Sequence, residues 1–409
     1  MKLRQSLLFV AALAVFPNSG FSLGFRVADQ NAEATARGDA FAATADNASA
    51  VYYNPAGITQ LEGTHTLLGS YAISLKERVD LDAPGSESFS STNTELQFVP
   101  NFFATWKPKE HPLAFGLGVY APFGFSLEYP DDTAFRTLAK EGSIQFIAIN
   151  PVIAWKICDT LSIAAGPTVN YGQAKLVRGV LALGDRFDFE GAGVSYGFTA
   201  GLLWHPHRMH HFGLTYRSTS ALNFSGHSRV KTNPFTVPTP FGPFTVPGID
   251  SEEDANAEIQ FPQVVTFGYS FRPTENWNFE FNLDWTDWDS LNTVTLRQPS
   301  GDIALPFNWQ SSFFYEFGVT RKLPANFWIS GGYIFSENSV PEESFNPIIP
   351  DSDRHVFSGG FGQRFAHFNW SVAYQYTTGP RRTIDNGTLA DGEYRAEAHA
   401  AIISLGYNF

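Results

Sequence analysis

The run "HPHRMHH", residues 205–211, carries four imidazoles: His205, His207, His210 and His211. Neutral imidazole is the commonest metal ligand, so the spacing raises the question of a metal site. The run falls in a short polar connection between two strand patterns, and a solvated turn explains the same residues. We therefore assign no metal to it. Cys158, the single cysteine, stands in "KICDT", a turn context that reads as a spectator thiol. One cysteine excludes an intramolecular disulfide framework and any multi-cysteine metal site. No nucleophile elbow and no Ser-His-Asp spacing stands out. No catalytic residue is assigned, and neither enzymatic activity nor a cofactor is expected. A net charge of −13 argues against nucleic acid, which asks for a basic stripe.

The remaining chemistry belongs to the backbone and to apolar surface. "PLAFGLGVYAPFGFSLEY" reads as a strand with Pro122, Phe123 and Gly124 in its interior. Proline cannot donate to a ladder, so it marks an edge or a bulge. A bulge bends the strand and leaves a residue unpaired, which in a closed wall would open a gap. "AVYYNPAGIT", residues 50–59, holds Asn54, Pro55 and Ala56, a turn dipeptide with small neighbours. The loop "KTNPFTVPTPFGPFTVPGID" (231–250) holds three Phe and several Pro. It is either a ligand-collecting patch or a loop that packs on its neighbours.

The elements around these residues are strands. In "NWNFEFNLDW", Trp277, Phe279, Phe281, Leu283 and Trp285 share one face, and Asn278, Glu280, Asn282 and Asp284 the other. A period of two means a strand with one apolar and one polar face. Many strands look roughly 13 or more residues long, against ~5–6 in globular sheets. Short turns at 107–112, 158–160, 205–209, 273–276, 322–326 and 366–368 alternate with longer segments. The longer ones lie near 82–93, 129–140, 231–255, 297–307, 337–352 and 379–393, with a shorter one near 179–187. Trp204, Trp277, Trp288, Trp309 and Trp370 fall near strand ends, where interfacial girdles lie. The pattern predicts an all-β protein, a transmembrane antiparallel barrel of about 14 strands, over 63–409. Closure leaves no backbone edge in lipid.

Residues 1–22 combine Lys2 and Arg4 with an apolar Leu7–Phe16 core and small residues at 20 and 22. They read as a removed export signal. Between them and the first strand lies 23–62, rich in Ala, Gly, Ser, Thr, Asp and Asn. Its apolar cluster Val51, Tyr52, Tyr53 and Ile58 asks for burial, so we expect a compact plug inside the barrel. The last strand, "AHAAIISLGYNF", ends on Phe409 with alternating apolar residues before it. It resembles the assembly signal of bacterial outer-membrane proteins, which makes the barrel-assembly machinery an expected partner.

The whole mature chain resembles the outer-membrane long-chain fatty acid and hydrocarbon transporters (FadL/TodX-like, OmpP1/FadL family). The motifs are "GFRVADQNAEATARGDAFAATADNASAVYYNPAG", "FGLGVYAPFGFSLEYPDD", "INPVIAWKICDTLSIAAGPTVNYGQAKL", "FGLTYRS", "FPQVVTFGYSFRPTENWNFEFNLDWTDWDSL" and "IPDSDRHVFSGGFG", in that order. The resemblance implies an N-terminal hatch in the lumen and residence in the outer membrane of a Gram-negative bacterium. It implies passive uptake of long-chain fatty acids or aromatic or aliphatic hydrocarbons. The path would be lateral, through a wall opening at a kinked third strand. Asn54-Pro55-Ala56 would sit against the kink at Pro122, Phe123 and Gly124. In "AKLVRG", Arg178 matches a head-group arginine of fatty acid members, and Phe25 matches a hatch residue that reaches the ligand pocket. The second basic residue of that site has no match in "IALPFNWQSS" (303–312). Glu280, Asp284 and Glu316 make the lumen acidic, which leaves neutral hydrocarbons open. A monomer surrounded by outer-membrane lipid and lipopolysaccharide is expected. The rival readings are a surface adhesin or structural barrel without substrate, and a general porin, which a plug argues against.

Overall fold

The computed structural model describes residues 25–82, 88–92, 96–180, 182–240 and 242–409. The expected signal at 1–22 lies outside these residues. Among the described residues, fourteen antiparallel strands form one closed sheet. In chain order they are β1 (Gly63–Leu81), β2 (Gln97–Lys107) and β3 (Leu113–Tyr120, continued by Gly124–Glu128). Next come β4 (Glu141–Cys158), β5 (Leu161–Gly179) and β6 (Arg186–His207). Two interrupted strands follow, β7 (His210–Arg217, then Ser220–Lys231) and β8 (Asp250–Phe261, then Val264–Thr274). The rest are β9 (Trp277–Thr286), β10 (Ser312–Lys322), β11 (Phe327–Ser336), β12 (Arg354–Arg364), β13 (Phe368–Thr378) and β14 (Gly392–Asn408). Each pairs with the next, and β14 pairs with β1 from Gly392↔Leu81 to Asn408↔His65. Closure satisfies inside the wall the backbone groups that hydrocarbon cannot.

The alternation read from sequence sets the two faces. On β9, Asn278, Glu280, Asn282 and Asp284 are buried, whereas Trp277 and Phe279 are exposed to the outside. On β14, Ala400 and Ile402 turn in, and Ile403, Leu405 and Tyr407 turn out. The six short turns all join strands at one end of the barrel, as their spacing predicted.

The tryptophan reading needs correction. Trp204 and Trp277 are exposed on the outer face, but Trp288 and Trp309 are buried in the lumen. The reason is the connection between β9 and β10. It starts at 287, before the expected 297, and turns through Trp288–Ser290. Its two short strands, Thr293–Arg297 and Ile303–Pro306, pair with each other, and the first touches β8 at Asn256 and Ala257.

Residues 25–62 lie within the ring of strands, almost wholly buried. They form short turns of helix at Ala32–Thr35, Ala50–Tyr53 and Pro55–Gln60. The small side chains counted in the sequence permit this. Gly318 and Gly332 on β10 and β11 face Arg37 so closely that a Cβ on either would lie 2.4 Å or 2.0 Å from backbone of Arg37 or Gly38. Asn31 caps the first turn by accepting from the Glu33 and Ala34 amides.

Candidate functional site

Among the described residues, the ladder between β2 and β3 is interrupted. β2 bonds β3 only over Phe102–Trp106 and Phe115–Val119. Beyond that, Gln97–Asn101 of β2 keep their β1 partners, and among the barrel strands Gly124–Glu128 of β3 pair with β4 alone. The break at Ala121–Phe123 separates β3 from β2 at Pro122, which has no N–H for the ladder. Pro100 also falls in the stretch of β2 without a β3 partner, where a missing N–H is tolerated.

The N-terminal segment fills the break from inside. The Val27 amide donates to the Pro122 carbonyl at 2.8 Å, and the Gly124 amide donates to the Phe25 carbonyl at 2.7 Å. Arg26 and Phe123 face each other as an antiparallel bridge. Gln30 Nε2 donates to the Ala121 carbonyl at 2.9 Å. Residues 25–27 thus act as a short strand bonded to the kink.

This corrects the expected position of Asn54, Pro55 and Ala56. No hydrogen bond among the described residues joins them to Pro122, Phe123 or Gly124. Asn54 Nδ2 donates to the carbonyls of Ala42 (2.7 Å) and Leu202 (3.0 Å), and its Oδ1 accepts from the Ala56 amide. Gly201 of β6 makes room: a Cβ there would stand 2.4 Å from Asn54 Oδ1 and 2.8 Å from Pro55. Val27 satisfies the Pro122 carbonyl, and Asn54 bonds Leu202 of β6 instead. The signal for Val27 was absent, because one backbone amide leaves no mark in a sequence.

Phe25 links the break to an apolar cavity. Its ring lies 4.7 Å from Trp288, 5.5 Å from Trp309 and 5.5 Å from Phe261, centroid to centroid. Beyond it is a narrow cavity of about 80 Å³ lined by Phe125, Ile144, Leu176, Phe189, Leu296 and Ile349, among others. Ser143 and Lys175 are the polar residues at this lining, and Lys175 is held by Glu141 at 2.6 Å. Arg178 follows Leu176 on the same face of β5, one step further along the strand. Its guanidinium lies 5.0 Å over the Phe187 ring.

The lumen acids hold the plug. Asp284 Oδ1 and Oδ2 accept from the two terminal nitrogens of Arg26 at 2.6 Å and 2.7 Å. Glu280 Oε1 accepts from the amides of Ala43 (2.8 Å) and Thr44 (3.1 Å), and Arg37 stands 3.6 Å from Glu280 Oε2. Glu316 accepts from Asn282, which also donates to the Asp39 carbonyl. The sequence placed these carboxylates on the lumen face, and their partners there lie in residues 26–44, reached by Glu316 through Asn282. Within the plug, burial pushes the Asp29 and Asp39 carboxyls up, and for Asp39 the neighbouring Asp29 adds to this. The four histidines divide into two pairs: His205 stacks on His211 at 3.8 Å, and His207 lies 5.8 Å from His210.

A family model described as outer membrane protein transport protein (OMPP1/FadL/TodX) matches residues 12–409. The chain belongs to this family. Among relatives of this OMPP1/FadL/TodX protein, the long-chain fatty acid transport protein of Salmonella typhi is 20% identical, over 97% of this chain and 96% of its own. Outer membrane protein P1 of Haemophilus influenzae is 21% identical, over 100% and 99%. A Pseudomonas aeruginosa FadL homologue of known structure has a TM-score of 0.81 at 17% identity, covering 94% of this chain and 99% of that one. The Ralstonia pickettii toluene transporter TbuX has a TM-score of 0.72 at 16% identity, covering 97% and 100%. The OMPP1/FadL/TodX protein is thus an outer-membrane β-barrel of a transport family.

Proposed function

We propose that this protein takes up hydrophobic molecules passively and releases them sideways into the outer membrane. Residues 1–22 would be the removed signal, 23–62 the hatch and 63–409 the barrel. The observation that carries the reading is the position of Phe25. Its ring borders the apolar cavity, and its carbonyl bonds Gly124 at the break between β2 and β3. Moving residues 25–27 would therefore join cavity and break in one step. A lateral route suits the cargo. Each CH₂ kept out of water is worth about 0.8 kcal/mol, and a path into lipid retains that gain.

The relatives named for fatty acids and for toluene mark the two cargo classes this reading allows. Arg178 favours the acid. It makes no hydrogen bond or ion pair among the described residues, and it stands next to the cavity's Leu176. The otherwise apolar lining suits a neutral hydrocarbon equally well. A porin reading is disfavoured, because buried plug residues fill the lumen. The test is uptake of labelled oleate and toluene by cells that make the protein, with liposome swelling by sugars as the counter-assay. Uptake without swelling is expected, and fast swelling with no hydrophobic uptake overturns the reading. Arg178→Ala is expected to lower oleate affinity by about 1.5–3 kcal/mol, the range for a hydrogen bond to a charged group. That is roughly 10- to 150-fold. Toluene affinity should not change, and an unaltered oleate affinity removes Arg178 from the site.

A further inference from the structure

A second arginine stands where the lateral path would begin. Arg217 ends the first half of β7 and faces inward. Its guanidinium carbon lies 4.7 Å from the centre of the Tyr52 ring and 5.3 Å from that of Tyr120. Tyr52 belongs to the plug. Tyr120 is the last residue before the break in β3.

Both rings are held in place. The Tyr120 hydroxyl donates to Asn150 Oδ1 at 2.9 Å, and it accepts from Arg217 Nη1 at 2.9 Å. Asn150 in turn receives Thr199 Oγ1 at 3.2 Å and donates to the Pro167 carbonyl at 2.9 Å. The Tyr52 hydroxyl donates to the Val27 carbonyl at 3.2 Å. The two rings meet edge to face, 5.0 Å apart. The guanidinium is therefore presented by side chains that are already fixed.

Arg217 differs from four other inward arginines. Arg26 has Asp284, Arg37 has Glu280, Arg354 has Asp351, and Arg364 has Glu33 and Asp46. Arg217 has no carboxylate partner among the described residues. It uses one N–H on Tyr120, and an arginine side chain has five. It lines a small polar cavity of about 40 Å³ that also contacts Asp39, Asp284 and Glu316. Those three acids are engaged elsewhere, with Tyr53, Arg26 and Asn282 respectively. A half-buried, aromatic-flanked guanidinium with free donors is built to receive a planar anion in two-point contact.

We propose that Arg217 is the carboxylate-recognition residue of the passage, so that amphipathic acids are selected at the break as well as at the cavity. This rests on the transport reading above. The ligand is a carboxylate with a long apolar tail. The tail has the Phe25 cavity on the far side of the plug strand, and the head group has Arg217 beside Tyr120. A neutral hydrocarbon gains nothing from the charge and passes without it.

The test compares initial uptake of oleate and of methyl oleate, which share a chain and differ in charge. Cells carry the wild type, Arg217→Gln or Arg217→Lys. Gln keeps a donor for Tyr120 and removes the charge, and Lys keeps the charge and removes the fork. The oleate-to-methyl-oleate ratio cancels differences in the amount of assembled protein. It should fall at least tenfold in Arg217→Gln and less in Arg217→Lys. An unchanged ratio in Arg217→Gln overturns the proposal, even when both rates drop, because equal losses mean a structural role. If the wild type carries neither compound, the transport reading itself falls, and this proposal with it.

Discussion

Cells whose protein carries a disulfide between positions 26 and 123 are expected to take up hydrophobic substrates at the background rate, and to recover on reduction. Arg26 and Phe123 oppose each other in an antiparallel bridge. Opposed residues in such pairs have Cα atoms about 4.5–5.5 Å apart, inside the range of about 4.4–6.8 Å that a disulfide accepts. The oxidising periplasm favours the bond. The exposed Cys158 is first changed to Ser, so that only one pairing is possible. The link then holds residues 25–27 to the kink and keeps the cavity apart from the break. Arg26→Cys alone loses the contact to Asp284 without gaining the link, so it reports the effect of the lost ion pair. Reductant should restore uptake in the double variant to the level of that single variant. Uptake by the oxidised double variant at the single variant's rate would mean that cargo leaves by a route other than the break between β2 and β3.

The barrel was legible in the sequence, because its driving pattern is local. Period-two alternation marks both faces of β9 and β14 without knowledge of any neighbour. The six short turns are likewise local, so they were read correctly. Pro122 raised the expectation of a break because proline's missing N–H is a property of one residue. What closes the kink was not legible. Val27 and Phe25 act through backbone atoms, and Asn54 had a better-looking donor and acceptor set for the same task. Its true partners, the Ala42 and Leu202 carbonyls, depend on how the plug turns inside the ring. Trp288 and Trp309 carried an interfacial signal by type and place in the chain. Only the inward path of 287–311 shows that they surround Phe25. Glu280 and Asp284 were placed on the correct face, but their partners Arg37 and Arg26 lie more than two hundred residues away in sequence. Alternation gives direction and cannot give partners.

Asp284→Ala is expected to unseat the start of the plug. The Arg26–Asp284 contact is bidentate at 2.6 Å and 2.7 Å, with Thr266 Oγ1 donating to the same carboxylate at 2.7 Å and Thr286 Oγ1 accepting from Arg26 at 3.1 Å. Both side chains are buried. An intact buried pair adds little net stability, because desolvation offsets the attraction. Removing one partner differs: it leaves a buried charge uncompensated, at a cost of about 3–5 kcal/mol. With 1.4 kcal/mol per factor of ten, the seated state loses between about two and three and a half orders of magnitude against the released one. The barrel is spared, since the β8–β9–β10 ladder through position 284 is made of backbone bonds. Backbone amides of 25–31 should then exchange with solvent far faster than in the wild type, while those of β9 stay protected. Liposomes holding the variant should also admit small sugars that the wild type excludes. Arg26→Met with Asp284→Leu removes both charges, so it should bring exchange most of the way back to the wild-type rate. Wild-type exchange at 25–31 in Asp284→Ala would show that the hydrogen bonds of Phe25 and Val27 to the kink seat the plug without the ion pair. Fast exchange in the double variant would show that the geometry of the pair matters, and not only its charge.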